Sequence, residues 1–222
     1  MQFVNPNKEA IADIRSAINV AADSLGRSLE HFSYPNGGRD APFHESNVVI
    51  HFGTALQALS RPFHVFAEAA IGGRGHIDLI ASRDDVALLV EAKTFGDLTK
   101  KAKEAHQDIH RMRRFQPSPS PIKKALVHDW YRNASTRLGL LLVGSHCSAD
   151  FNLDWDHQGS EERANTAMNA LFSDLADLCA VSGHRLISRC SDWLTDDSGD
   201  AYLLWSLFDL PNHESCRLTH DS

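Results

Sequence analysis

Cysteine is sparse in this sequence and shows no pairing pattern. Cys147, Cys179, Cys190 and Cys216 are scattered, and no two of them form a Cys-x-x-Cys. A disulfide framework or a cysteine-based structural zinc site is therefore unsupported, and reduced thiols in a cytoplasm are the expectation. Long apolar runs are missing too: no stretch approaches the ~18 consecutive apolar residues of a membrane helix. Met1 to Arg15 lacks a basic segment followed by a long apolar run, so no secretory signal is expected. Gly72-Gly73-Arg74-Gly75 has no following Lys-Ser or Lys-Thr, which makes it a turn and not a phosphate cradle. No Gly-x-Ser-x-Gly frames Ser145-His146-Cys147, so a nucleophile there is set aside. The thirteen histidines show no His-x-x-x-His beside a Glu.

What remains is an ordinary globular composition, 42% apolar and 23% charged over 222 residues, which suits one decorated domain spanning 1–222. The net charge of -7 excludes a protein coated in basic surface, but the charge is unevenly spread. Residues 100–137 hold ten Lys or Arg against three acids, a balance of +7. From residue 150 onward fourteen acids face four bases, a balance of -10. One basic segment beside an acidic remainder suits a limited surface that meets a polyanion; a solvated helix face reads the same way.

The pattern predicts a helix over 6–25, with Asn5 as cap, Pro6 at its first position and a stripe of Ile11, Ile14, Ile18 and Ala21 or Ala22. A loop at 34–38 leads to a second helix over 43–59, whose apolar face is Val48, Val49, Phe52, Leu56 and Leu59. Strands are expected at 63–71, 76–82 and 86–93, separated by turns at 72–75 and 83–85. A helix over 98–116 ends at the Pro-Ser repeat of 117–121. A short helix at 122–133, a strand at 138–143, a helix at 161–181 and strands at 184–189 and 202–207 complete the expected order.

The chemistry concentrates between His76 and Lys93. A two-residue turn at Asp84-Asp85 pairs residues whose numbers sum to 169, which sets Asp78 opposite Glu91 with Cβ atoms roughly 5 Å apart. Lys93 follows on that face opposite His76, while Ile77, Leu79, Ala81, Val86, Leu88, Val90 and Ala92 form an apolar second face. Facing carboxylates in a covered sheet repel, and they need a shared proton or a cation. Mg²⁺ or Mn²⁺ takes such oxygen ligands, and Lys93 can then stabilise charge developing on a phosphoryl group. A turn one residue longer would instead send Asp78 and Glu91 to different faces, leaving a plain binding protein.

The order of a helical acid, then Asp78, then Glu91-Ala92-Lys93 resembles the PD-(D/E)XK nuclease superfamily, with Ile77 where that name has proline. The resemblance covers about 43–145 and leaves the flanks unexplained. It implies an α/β fold with a restriction-endonuclease-like core: a mixed central sheet flanked by helices in αβββαβ order, with N- and C-terminal additions. It further implies metal ligation by Asp78, Glu91 and the carbonyl of Ala92, with Mg²⁺ or Mn²⁺ as cofactor. Phosphodiester hydrolysis, with DNA as the expected substrate, would follow. The alternative is a catalytically inactive nuclease-like module that binds nucleic acid or protein. A homodimer would suit an enzyme cutting both strands of a duplex; no membrane partner is expected.

Glu45 lies within the apolar arc of its helix, where a carboxylate is costly unless paired, and the resemblance places a fourth site acid there. A first-turn acid serving the helix dipole is the bland alternative. Many relatives carry a Gln on the helix after the tripeptide, and Gln107 is the match. It shares a face with Lys100, Lys103, Arg111 and Arg114, either holding a phosphate backbone or simply solvated. His76 and Glu68 stand near enough in the pattern to touch the site, though structural or exposed roles are the commoner ones.

Overall fold

A computed structural model describes residues 6–31, 44–71, 75–95, 98–115, 131, 133–145, 155, 166–188 and 200–210. The elements are α1 (Pro6–His31), α2 (Glu45–Gln57), β1 (His64–Ile71), β2 (Gly75–Arg83), β3 (Val86–Phe95), α3 (Leu98–Arg113), β4 (Thr136–Ser145), α4 (Thr166–Asp177), β5 (Val181–Ser188) and β6 (Ala201–Asp209). Six strands form one mixed sheet in the order β1-β2-β3-β4-β6-β5. Its β3–β4 pair is parallel and the others are antiparallel. The expected helix at 122–133 and the Pro-Ser repeat lie almost wholly outside the described residues. Among the described residues no helix is long and apolar enough to cross a membrane.

The sheet is covered on both faces, as the apolar β3 and β4 sequences require. On one side α1 and α2 pack Ile14, Ile18, Leu25, Phe52 and Leu56 against Leu79, Leu88, Val90, Leu140 and Leu203. On the other, α3 and α4 pack Ala105, Ile109, Met112, Leu171 and Leu175 against Leu89, Leu141, Val143 and Leu204. α1 continues a full turn beyond the predicted boundary because Leu25 and Leu29 prolong its apolar stripe. The predicted helix over 161–181 ends earlier, at Asp177, and Val181 already opens β5.

Gly26 permits a close approach of α1 to β5. A Cβ there would overlap the carbonyl oxygen of Ile187, a backbone atom that cannot rotate aside. Alanine improves helix propensity by about 1 kcal/mol, while overpacking costs about 1–3 kcal/mol. Gly26→Ala is therefore expected to lose up to about 2 kcal/mol, read as a lower Tm in a thermal melt. An unchanged or higher Tm would place α1 farther from β5.

Candidate active site

The β2–β3 hairpin has the expected two-residue turn. Arg83 pairs with Val86 and the register runs to Leu79↔Val90, every pair summing to 169. Asp84 takes the turn with φ 51°, a conformation Asp tolerates better than most residues. Beyond Leu79 the expected rung between Asp78 and Glu91 does not form. The carboxylate of Asp78 instead accepts the backbone N–H of Ala92 at 2.8 Å, taking the place of a strand carbonyl. The β1–β2 ladder skips the same position, passing from Ala67↔Leu79 to Ala69↔Ile77, and Glu68 across from it has φ 53°.

This break changes the strand's facing. Ile77 packs in the α3-side core with Ala87 and Leu89, whereas Leu79 and Ala81 pack against α1 and α2. The expectation that Ile77 continues the Leu79–Ala81 face is thus corrected: the alternation is interrupted at Asp78. Lys93 likewise does not pair with His76; it pairs with Val143 of the parallel neighbour β4. Irregularities of this kind bend a strand and re-aim side chains, and they are common beside functional sites.

Glu91 is fully buried. Its Oε1 accepts Arg111 Nη2 at 2.7 Å and Nε at 3.2 Å, while its Oε2 is buried with no hydrogen-bond partner among the described residues. Burial first, then the negative charges of Asp108 and Asp78, push its carboxyl up to about 9, although Arg111 pulls the other way. The charge of Asp78 thus reaches Glu91, and the two-residue turn on which their proximity depended is present.

Lys93 donates to the carbonyl of Ala92 at 2.9 Å and pairs with Asp108 Oδ2 at 2.7 Å. Burial draws its ammonium toward neutrality, but Asp108, Glu45 and Glu91 outweigh that, and the net shift is upward. Lys93 is a fixed cation. Asp108 also meets Arg111 Nη2 at 2.7 Å, so one buried acid of α3 holds both the buried Lys93 and the partly exposed Arg111. Glu45 turns toward the end of β3, where its Oε1 accepts Lys101 Nζ at 2.9 Å and the N–H of Thr94 at 3.3 Å. Lys101 is shared with Glu104 at 3.0 Å. Glu45 therefore does more than complement the dipole of α2.

Gln107 is exposed, together with Lys100, Lys103 and Arg114. Arg111 departs from that expected face and turns into the site. The residue of α3 that the sequence reading overlooked is Asp108. It stands three after Ala105 and four before Met112, both buried, so the helical wheel already placed it on the inner side. At the rim, His76 Nε2 lies 3.3 Å from Glu68 Oε2 and 4.0 Å from Asp78 Oδ1. Glu68, His76 and Asp78 thereby converge with donor atoms within 4.8 Å of one another.

No family model, curated protein or solved structure matches the chain.

Proposed function

We propose that this chain is a metal-dependent phosphodiesterase, a nuclease of the PD-(D/E)XK type acting on nucleic acid, with DNA as the expected substrate. The order α2-β1-β2-β3-α3-β4 supports a restriction-endonuclease-like core, and the site supports the activity. One observation carries the reading: Glu91 is fully buried, and although Arg111 pairs its Oε1, its Oε2 has no hydrogen-bond partner among the described residues, which leaves that oxygen open to a proton or a metal ion.

The donor set fits a hard divalent ion. Glu45, Asp78, Glu91, Glu104 and Asp108 face Lys93, Lys101 and Arg111, an excess of two carboxylates. Asp78, Glu91 and the Ala92 carbonyl would hold Mg²⁺ or Mn²⁺, with Glu45 as a further member. Such an ion supplies Lewis acidity toward a phosphoryl oxygen and acidifies a water. The protein's own groups do the rest. Glu91 releases its proton on loading, and Arg111 keeps the carboxylate oriented. Lys93, held charged by Asp108, offers a preorganised cation to the charge that develops in the transition state. The exposed Lys100 and Lys103 of α3, with Arg114 just past its end, supply phosphate-backbone contacts.

The test combines Mn²⁺ calorimetry with a metal-supplemented cleavage assay on plasmid, linear duplex, single strands and RNA. Lys93→Ala is expected to keep Mn²⁺ binding and to lose cleavage by about 100-fold or more, the scale of removing one preorganised electrostatic group. Full activity in that variant would remove Lys93 from its role. Nucleic-acid binding with no cleavage in any metal would instead identify an inactive module.

A further inference from the structure

We propose that His106, His110 and Asp174 form a second metal site, distinct from the carboxylate site and suited to an ion of the zinc class, that clips α4 onto α3. His106 and His110 lie one turn apart on α3, and Asp174 reaches them from α4. His106 Nδ1 is 2.6 Å from Asp174 Oδ2, and His110 Nε2 is 3.3 Å from the same oxygen. All the donor atoms fall within 4.8 Å of one another. The imidazole rings stand nearly perpendicular, at 86° with centroids 4.6 Å apart, so each can direct a nitrogen inward without stacking on the other.

The local hydrogen bonding points to a missing third party. His106 Nδ1 and Asp174 Oδ2 are buried, and despite their closeness neither has a properly aligned hydrogen-bond partner. Ligands about 2.0–2.1 Å from a tetrahedral ion lie roughly 3.3 Å from one another. The His110–Asp174 separation, 3.3 Å, already has that value, and the His106 contact, 2.6 Å, needs to open by about 0.7 Å.

The chemistry selects the ion. Two imidazoles and one carboxylate suit Zn²⁺ and its first-row neighbours, whereas Mg²⁺ and Mn²⁺ favour the all-oxygen set at Asp78 and Glu91. His106 and His110 are about one-third exposed, at 31% and 37%, which leaves a coordination position open to solvent. The sequence carried this spacing without the adjacent Glu of a helical zinc-protease motif. The third ligand comes from a helix sixty residues away, which periodicity alone does not join to α3.

The experiment uses the full chain freed of metal. Co²⁺ is followed by its visible absorption, Zn²⁺ by competition with a chromophoric chelator, and stability by thermal melts. One equivalent of Co²⁺ is expected to give a tetrahedral-type band that Zn²⁺ displaces, and Zn²⁺ is expected to raise the Tm. Asp78→Asn/Glu91→Gln keeps the Co²⁺ band, because the two sites are separate. His106→Gln/His110→Gln loses Zn²⁺ affinity by more than the 10–100-fold typical of losing an outer-shell partner. Should that variant not fold, Asp174→Asn is read in its place. Undiminished Zn²⁺ affinity in the ligand variants, or a wild-type Tm indifferent to Zn²⁺, reduces the cluster to an ordinary His–Asp ion pair.

Discussion

Glu91→Gln is expected to unfold at a higher temperature than the parent at pH 8 and to bind no Mn²⁺. Both effects arise from the same burial. The carboxyl of Glu91 is pushed from an ordinary value of 4.5 up to about 9, so the folded protein holds its proton more tightly than the unfolded chain does. With the folded value above the unfolded one, stability falls as pH rises from about 4.5 and levels off only above about 9. Glutamine carries no proton to lose, and its side-chain oxygen can still accept from Arg111. The variant should thus show a flatter dependence of Tm on pH between 5 and 9. Metal loading must expel the same proton, so parental Mn²⁺ affinity should strengthen with pH across this range, and calorimetry in buffers of differing ionisation enthalpy should register about one proton released per ion. A buried acid with a purely architectural role would give the change in Tm without any change in Mn²⁺ binding. Equal Mn²⁺ affinity in parent and variant removes Glu91 from the metal.

The second large effect is expected at Asp108. Its carboxylate is 2.7 Å from both Lys93 Nζ and Arg111 Nη2, and its side chain is only 6% exposed. Breaking a buried pair by removing one partner costs about 3–5 kcal/mol, because the orphaned charge stays in place. Asp108→Ala should therefore lower Tm by roughly 6–20 °C for a chain of this size. Asp108→Asn keeps an acceptor and should fall between parent and alanine. Lys93→Met combined with Asp108→Asn should be less destabilised than the sum of the single changes, since no buried ammonium then lacks its counter-ion. In the cleavage assay Asp108→Asn should lower kcat while Mn²⁺ binding persists, because Asp108 acts through Lys93. A surface-like loss below about 0.5 kcal/mol in Asp108→Ala would contradict the buried network.

The hairpin was readable because apolar alternation and a two-residue turn leave one register that buries Leu79, Ala81, Leu88 and Val90 together. That reading brought Asp78, Glu91 and Lys93 to one neighbourhood. It failed at the rung itself. A positive φ at Glu68 and a side chain replacing a ladder bond are consequences of the folded surroundings, and no period records them. Asp108 was missed for another reason: it entered only as one of three acids in the charge balance of 100–137, although its spacing from Ala105 and Met112 already turned it inward. Arg111 was assigned to the wrong face by the same habit. The order β4-β6-β5 lay beyond sequence patterning because it depends on pairings across long separations, while the individual strands were visible in their alternation.

The parallel pairing of β3 with β4 bears on the order in which the site is assembled. Asp78, Glu91 and Lys93 arrive early, on a hairpin closed by local contacts. Asp108 and Arg111 arrive only when the crossover through α3 has carried the chain back to lay β4 beside β3, a slower, non-local event. Until then Glu91 and Lys93 lack the partners that α3 gives them in the folded protein. A half-folded chain therefore carries the acids and the lysine of the hairpin without the alignment that Asp108 and Arg111 impose on them.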